Sequence, residues 1–380
     1  MTDSGASRSF SAFRPAPVLF LALLLCLFVP LSAGAQNVTG LFHQWLKNDL
    51  WPEARSRGIS SETFNTAFAG VTPNLDLPDL VMPGESAPRG QKQHQAEFRA
   101  PGAYFDHIGG VVSGGRRLAG LHAGTLAAIE QRYGVPRGIV LAIWGRESGF
   151  GNASIPHNAF EVLGTKAFFA TRKEMFRQEV LAALEMVESH GVSPQTMRSS
   201  WAGALGQPQF LPTSYLKYAV DFDGDGRADI WNSVPDTLAS IANYLASHGW
   251  VRGRDGGFEV VVPRELSCTL VGPDQGRRIA DWESLGIRRV GGKPFPEHEM
   301  RGEGYLMMPA GRYGPAFLVT PNFYVLKDYT ESDLYALFVG HGGDRIMYGN
   351  IVIEAPWQQV DRFNRGEIAA LQHGLVRRGY

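Results

Sequence analysis

The chain has 380 residues, of which 44% are hydrophobic and 19% charged, and its formal net charge is −1. This is the composition of a globular protein, and the length suffices for one large or two ordinary domains. A near-neutral balance without a basic run excludes nucleic acid as an expected partner and excludes electrostatic docking to a membrane surface.

The beginning of the chain has the pattern of an export signal. Arg8 and Arg14 precede an almost uninterrupted apolar run at residues 18–29, and small residues ending in an Ala-x-Ala peptidase site follow it. The run is short for a membrane-spanning helix, which needs about 20 apolar residues. We therefore expect residues 1–35 to be a signal peptide that is cleaved after Ala35.

A lipid anchor is not expected. Cys26 lies inside the apolar run, directly after three leucines, and lacks the small neighbours that a lipidation site needs. In the mature chain, which then begins at Gln36, Cys268 is the only cysteine. No disulfide can form within that chain, so its stability must come from a packed core.

Apolar residues recur at helical intervals in six segments. The predicted helical segments are residues 42–68, 117–133, 136–147, 174–190, 236–248 and 364–380. A Pro-rich and Gly-rich stretch at residues 71–90 is predicted to be a loop, and residues 258–262 and 316–320 have the composition of strands. We therefore expect a mostly α fold of the α+β class with small β insertions.

The helix predicted at residues 136–147 is apolar nearly all round and is therefore expected to be buried. Glu147 stands at its C-terminal end, where burial and the negative end of the helix dipole both raise the pKa of a carboxyl group. Such a group can protonate a glycosidic oxygen near neutral pH. The alternative is a helix-end glutamate that pairs with Arg146 or another neighbour.

Residues 221–232 have the spacing of an EF-hand calcium loop, with oxygen-bearing groups at alternating positions and a glycine for the sharp turn. The predicted ligands are Asp221, Asp223, Asp225, the carbonyl group of Arg227, and Asp229. Position 12 is Asn232, so the usual bidentate glutamate is missing. We expect a structural Ca²⁺ here, the alternative being a solvated acidic turn whose aspartates cap the backbone.

Residues 200–210 are poor in charge and rich in small side chains, so that a ligand can approach the backbone closely. Gln207 and Gln209 offer amide hydrogen bonds that suit neutral N-acetylated sugars, and a tightly packed turn is the alternative. Asn322, Tyr329 and Tyr335 are similar candidates, for which structural packing is the default interpretation.

Other catalytic chemistries find little support. The ten histidines form no H-x-x-x-H or H-E-x-x-H pair, and no G-x-S-x-G motif occurs. Cys268 has no recognisable partner motif, so we expect it to be a small buried residue rather than a nucleophile.

Four motifs in this order resemble the membrane-bound lytic transglycosylase B family. They are YGVP at residues 133–136, WGRESGFG at 144–151, SWAGALGQPQFLP at 200–212, and the aspartate loop at 221–232. The resemblance extends from about residue 42 to 346, and the combination is far more specific than any single motif. It implies a lysozyme-like catalytic domain, which we place at residues 36–355.

The resemblance also implies an activity in the periplasm. Enzymes of this family cleave the β-1,4 bond between N-acetylmuramic acid and N-acetylglucosamine in peptidoglycan without water, leaving 1,6-anhydro ends. Their single catalytic glutamate matches Glu147, and no catalytic cofactor is needed. Ser200, Gln207, Gln209 and Tyr244 match positions expected to line the glycan cleft.

Two other functions stay open at this point, a lysozyme-type hydrolytic muramidase and a non-catalytic wall-binding protein. Peptidoglycan glycan strands are the expected partner in each case, and the resemblance leaves other cell wall enzymes open as protein partners.

The sequence departs from the family pattern at Thr330, where the family usually has asparagine, while Ser332, Tyr335 and Ala336 match. Residues 356–380 resemble a linker and the first helix of a peptidoglycan-binding module. We expect this module to be incomplete, because a single helix cannot bury its own apolar face.

Overall fold

The computed structural model describes residues 33–82, 101–349, 351–357 and 365–379. Residues 1–32 of the predicted signal peptide and residues 83–90 of the predicted loop lie outside these ranges. Within them, no helix is both long and apolar enough to span a membrane.

Helices dominate the described ranges. The α-helices are α1 (Ala33–Trp45), α2 (Trp51–Ser56), α3 (Ser61–Ala67), α4 (Ile108–Leu121), α5 (Ala123–Tyr133), α6 (Arg137–Ser148), α7 (Ala159–Phe169), α8 (Lys173–His190), α9 (Pro212–Tyr218), α10 (Val234–Ser247), α11 (Ile279–Ser284), α12 (Pro321–Lys327), α13 (Asp333–Tyr348) and α14 (Arg365–Val376). Local chemistry sets their ends. Ser233 and Ser332 accept hydrogen bonds from the first turns of α10 and α13, and Gly134 ends α5 in a left-handed conformation.

Two of the predicted helical segments are divided. The single helix expected at residues 117–133 is wrong, because α4 ends at Leu121 and α5 begins at Ala123. His122 between them has φ −107° and ψ 25°, outside the helical region. Apolar residues keep their helical spacing across this break. Leu118 before it and Leu126 after it both face the main core. Residues 42–68 likewise contain parts of three helices and one π-helical turn, Leu46–Leu50.

Helix α6 is the centre of the main core. Nine of its twelve residues are buried, as its uniformly apolar sequence predicts. It packs against α4, α10 and α13. The closest approach is at Gly138, where a Cβ atom would lie 2.6 Å from the carbonyl oxygen of Gly343 on α13. The backbones of α6 and α13 therefore touch.

An antiparallel sheet is inserted between α10 and α12, and a small two-stranded antiparallel sheet of β1 and β2 lies within the helical part. The strands are β1 (His157–Asn158), β2 (Arg198–Ser199), β3 (Gly257–Val261), β4 (Arg277–Arg278), β5 (Arg288–Arg289), β6 (Glu303–Met307) and β7 (Ala316–Val319). The inserted sheet has the order β4-β6-β7-β3-β5, with Gly257 opposite Val319 and Tyr305 also opposite Val319. It has its own apolar core around Phe258, Trp282 and Leu318.

The inserted region contains more strands than the sequence predicts, and it also contains Cys268, whose predicted burial is wrong. Strands β3 and β7 are those expected from the sequence, whereas β6 and the two-residue strands were not expected. Cys268 is exposed rather than buried, and its sulfur accepts a hydrogen bond from Arg312.

A buried amide connects the sheet to the helical core. Asn322, in the first turn of α12, is fully buried. Its Oδ1 accepts a hydrogen bond from the Val251 N–H at 2.7 Å. Its Nδ2 donates to the carbonyl oxygens of Val251 and Arg254, both at 2.9 Å. Asn322 thus holds the segment that leads from α10 into β3.

We expect Asn322→Ala to lower the free energy of unfolding by about 2–4 kcal/mol, because it leaves several buried backbone groups without partners. Urea unfolding followed by circular dichroism measures the change. Asn65→Ala, at an exposed position of α3, is the control and should change stability by less than about 0.5 kcal/mol. Equal effects of the two substitutions on stability would contradict the structural role of the Asn322 amide.

Candidate active site

Helix α6 ends in a sharp chain reversal directly after Glu147. Gly149, Phe150 and Gly151 all have left-handed backbone conformations, with φ of 57°, 62° and 80°. Such a φ costs a glycine little but strains Phe150. The Phe150 ring packs edge-on against the Trp144 indole, with ring centroids 5.3 Å apart, which helps to hold the strained residue. The reversal leaves the end of α6 facing a cavity.

Glu147 is half-buried as a residue, and its carboxylate lies between α6 and α13. Tyr335, in the first turn of α13, is 2% exposed and donates a hydrogen bond from its Oη to Glu147 Oε1 at 2.6 Å. Arg146 points elsewhere, with its guanidinium carbon 4.6 Å from the Tyr104 ring centroid and 5.0 Å from that of Phe338. The ion pairs formed within the described ranges do not include Glu147. The alternative of a Glu147–Arg146 pair is therefore not what the structure contains.

Burial raises the pKa of Glu147 from its ordinary value of 4.5 to about 7. The hydrogen bond from Tyr335 and the charge of Arg146 act in the opposite direction and are smaller. Burial also raises the pKa of the Tyr335 hydroxyl well above its usual range, so this group stays a donor at neutral pH. Glu147 can consequently hold or release its proton close to neutral pH, as a group that acts as both acid and base must.

A cavity of about 380 Å³ lies beside the end of α6. Its lining includes Ser148, Gly151, Thr196, Arg198, Gln207 and Trp231. Gln207 is fixed in the wall, because it accepts a hydrogen bond from Trp144 Nε1 at 2.7 Å and donates to the carbonyl oxygen of Trp231 at 2.8 Å. A Cβ atom at Gly151 would lie 2.6 Å from Gln207 Oε1, so glycine is required there. Glu147 is not among the residues that form this lining, but Ser148, which follows it directly, is.

Ser200 and Gln209, both predicted to line the glycan cleft, use their polar groups within their own turns. Ser200 Oγ accepts hydrogen bonds from the N–H groups of Ala202 and Ala204, at 3.3 and 3.2 Å. Gln209 has a φ of 56° and donates to the carbonyl oxygen of Gly206 at 2.8 Å. The packed-turn alternative describes both side chains, which shape the backbone next to the cavity.

The predicted tyrosines form a layer behind the carboxylate. The Tyr244 hydroxyl donates to the carbonyl oxygen of Asp328 at 2.9 Å, and that of Tyr329 donates to Pro208 at 2.8 Å. The Tyr329 and Tyr335 rings are stacked, with an interplanar angle of 13° and centroids 5.9 Å apart. Tyr335 therefore reaches Glu147 directly, and Tyr329 supports it.

The placement of Asn322 overturns its predicted role as a glycan ligand. The side chain is fully buried, and its amide is engaged by the backbone that follows α10. It cannot reach a cleft in this structure, and structural packing, the default interpretation for this residue, applies.

The aspartate loop gathers a different set of carboxylates from the one predicted. Carboxylate oxygens of Asp221, Asp223 and Asp236 lie within 4.8 Å of one another. Asp236, in the first turn of α10, is fully buried, and its carboxylate accepts hydrogen bonds from the N–H groups of Phe222, Asp223 and Asp229. Burial raises the pKa of Asp236, whereas these N–H donors lower it. Three converging carboxylates suit a hard cation such as Ca²⁺.

The other predicted metal ligands lie outside that group. Asp225 Oδ1 accepts a hydrogen bond from the Arg227 N–H at 2.9 Å. The Asp229 carboxylate accepts from the N–H groups of Trp231 and Asn232. The EF-hand spacing could not point to Asp236, because it follows the twelve-residue loop. Its one sequence signal was its position at the start of a predicted helix.

Comparisons with known proteins place the chain in a family. Residues 41–344 match the family described as the Transglycosylase SLT domain. The membrane-bound lytic murein transglycosylase B of Escherichia coli (strain K12) is 31% identical over 222 residues, which are 58% of this chain and 60% of that protein. The chain thus aligns with less than two thirds of that relative's length.

Solved structures agree with this match. SltB3 from Pseudomonas aeruginosa in complex with NAG-NAM-pentapeptide has a TM-score of 0.79 and 36% identity, covering 89% of this chain and 88% of that one. Its complex with NAG-anhNAM-pentapeptide has a TM-score of 0.77. The E. coli lytic transglycosylase Slt35 in complex with calcium has a TM-score of 0.62 and 24% identity, with coverages of 83% and 93%, and shows the fold alone. With a mostly helical, lysozyme-like fold and a family match over most of its length, this chain belongs to the SLT-domain transglycosylase family.

Proposed function

We propose that this protein is a lytic transglycosylase that cleaves the β-1,4 bond between N-acetylmuramic acid and N-acetylglucosamine in peptidoglycan and leaves 1,6-anhydro ends. The observation that carries the proposal is the state of Glu147. Its carboxyl group has a pKa of about 7 and accepts a hydrogen bond from Tyr335, and the next residue, Ser148, lines the cavity. The relative SltB3 was solved with a NAG-NAM and a NAG-anhNAM peptide, which supports this substrate class.

In the first step, protonated Glu147 gives its proton to the glycosidic oxygen as the bond from that oxygen to C1 of the muramic sugar breaks. The N-acetylglucosamine part leaves with a hydroxyl group. The acetamido group of the muramic sugar stabilises the positive charge at C1. Tyr335 holds the ionised carboxylate in place through the 2.6 Å hydrogen bond.

In the second step, the Glu147 carboxylate takes the proton from the C6 hydroxyl of the same muramic sugar while that oxygen bonds to C1. The 1,6-anhydro ring closes and Glu147 is protonated again, so no water is consumed. One carboxyl group serves both steps, whereas most glycosidases use two.

We also propose the surroundings in which this chemistry occurs. Residues 1–35 would direct export to the periplasm, residues 36–355 would form the catalytic domain, and residues 356–380 would be a linker and one module helix. Within the site, Gln207 lines the cavity, and its amide can still bond to a sugar through the N–H and the oxygen lone pair that Trp144 and Trp231 leave free. Ser200, Gln209, Tyr244 and Tyr329 would act mainly by shaping the cleft.

We expect Glu147→Gln to abolish cleavage of purified sacculi, because the amide has the shape of the acid but no proton to transfer. Mass spectrometry of the soluble products measures both rate and chemistry, and the parent should release muropeptides with 1,6-anhydro ends. Glu185→Gln, at an exposed position of α8, is the control and should cleave like the parent. Products with reducing ends would instead indicate a hydrolytic muramidase. A Glu147→Gln variant that still cleaves sacculi would show that Glu147 is not the catalytic acid and base.

The pH dependence of kcat/KM should report the pKa of Glu147. Since the first step needs the protonated acid, kcat/KM should fall as pH rises through about 7, rather than near the ordinary value of 4.5. We call this fall the alkaline limb of the pH profile.

Tyr335→Phe removes a donor that favours the carboxylate form of Glu147. The pKa of Glu147 should therefore rise, and the alkaline limb should move up by about one pH unit. Tyr215→Phe, whose parent hydroxyl donates to Ala228, should leave the limb unmoved. An unchanged limb in Tyr335→Phe would contradict the role of this hydrogen bond.

The aspartate loop would hold a structural Ca²⁺. Asp221, Asp223 and Asp236 supply converging oxygens, and Asp225 and the Arg227 carbonyl group are further candidates from the loop spacing. The ion would tie the loop to the start of α10. It would take no part in the chemistry at Glu147.

Calcium should raise the melting temperature of the protein, because a ligand that binds only the folded state stabilises it. Asp223→Asn should abolish the increase, since it removes a charge but nearly preserves the side-chain shape. Asp274→Asn, at an exposed turn outside the loop, should melt like the parent with and without calcium. Differential scanning calorimetry in chelator and in calcium provides the test, and a parent that melts identically in both would refute the site.

A further inference from the structure

Trp201 differs from every other tryptophan in this chain. All eight tryptophans lie in the described ranges, and seven are buried or half-buried, whereas Trp201 is 51% exposed. An indole left in water forgoes the favourable burial of a large apolar surface. Exposed aromatic rings that are held rigidly are typical of binding surfaces.

The backbone that carries Trp201 is rigid. Ser200 and Ala204 close the turn through a 2.8 Å backbone hydrogen bond, and Ser200 Oγ accepts from two further N–H groups inside it. Gly203 has a φ of 85°, and the Leu163 side chain leaves no room for a Cβ atom there. The indole is therefore presented by a turn that has little freedom to move.

A buried cation holds the indole from the protein side. Lys166 on α7 is 1% exposed, and its Nζ lies 5.2 Å from the ring centroids of both Trp201 and Phe176. Nζ also donates to the carbonyl oxygen of Pro78 at 3.0 Å. An ammonium group in this position stabilises the orientation of the indole through a cation–π interaction. Because Lys166 is buried, the exposed part of the indole faces away from it.

The Trp201 turn adjoins the cavity beside Glu147. Arg198, three residues before Trp201, and Gly206, five residues after it, both line that cavity. Ser199 and Leu205 pair across the base of the turn. Three residues span at most about 10 Å of chain, so one extended ligand can contact both the cavity and the indole.

From this geometry we infer that Trp201 is a stacking platform for the glycan strand, at a subsite outside the cavity. The indole would pack against the apolar C–H face of a neutral N-acetylated sugar ring, whose slightly positive hydrogens complement the negative face of the aromatic ring. Trp201 touches no reacting bond. It would add affinity for strands long enough to reach it and leave the chemical step unchanged, and the inference rests on the proposed function.

The test uses the full chain with Glu147→Gln, so that the probe is not cleaved, and GlcNAc oligomers of increasing length as the probe. Calorimetry should show that Trp201→Leu binds long oligomers about five- to tenfold more weakly and the shortest binding oligomer equally well. Trp201→Phe should keep most of the affinity, because it keeps an aromatic face. Tyr313→Ala is the matched control, since Tyr313 is an 82% exposed aromatic residue in the sheet region, and it should bind like the parent.

Acrylamide quenching of tryptophan fluorescence gives an independent readout. Long oligomers should protect the most accessible indole from acrylamide in the Glu147→Gln protein, and this protection should be lost in Trp201→Phe. Equal affinity of Trp201→Leu and Tyr313→Ala for long oligomers, or no oligomer binding at all, would overturn the platform. Failure of the proposed function would show differently, as sacculi left intact by the parent chain.

Discussion

Helices α6 and α13 touch backbone to backbone at Gly138 and Gly343, and the proposed chemistry of Glu147 depends on that contact. Glu147 stands nine residues after Gly138, and Tyr335 stands eight residues before Gly343. At about 1.5 Å per residue, these intervals correspond to some 12–14 Å along each helix. The helices run antiparallel, so a contact at one end sets the register of the hydrogen bond at the other. A side chain at Gly138 or Gly343 would push the two helices apart and so lengthen the hydrogen bond between Tyr335 and Glu147.

The same packing creates the electrostatic state of the site. Helix α6 is buried almost all round and carries its polar side chains only at its two ends, and Glu147 lies in its last turn. Burial raises the pKa of Glu147 to about 7, while the Tyr335 hydroxyl keeps the carboxylate form accessible. The balance of these two effects lets one group give and then take a proton. A second carboxylate nearby would disturb it through repulsion of like charges.

The features predicted correctly from the sequence were those encoded within one short segment. Helix α6, the position of Glu147 at its end, and the glycines that follow it depend on neighbours in the chain. The partner of Glu147 is 188 residues away, and the sequence indicated Tyr335 only as a glycan ligand. Asp236 and the buried Asn322 were misjudged or missed for the same reason, since their contacts arise from packing between distant segments. Strand β6 and the two-residue strands were missed because they have little or no periodicity of their own.

The inserted sheet has an apolar core of its own, around Phe258, Trp282 and Leu318, and this affects how the protein unfolds. The two cores meet at β7, where Phe317 and Val319 belong to the main core and Leu318 belongs to the core of the sheet. The Asn322 amide is a further link between the helical part and the sheet, whereas the pair of Arg254 with buried Glu299 lies within the sheet region. A partial opening of the sheet that leaves α6 protected must therefore also separate Phe317 and Val319 from the main core. Helix α6 and the inserted sheet can thus differ in local stability within one continuous chain.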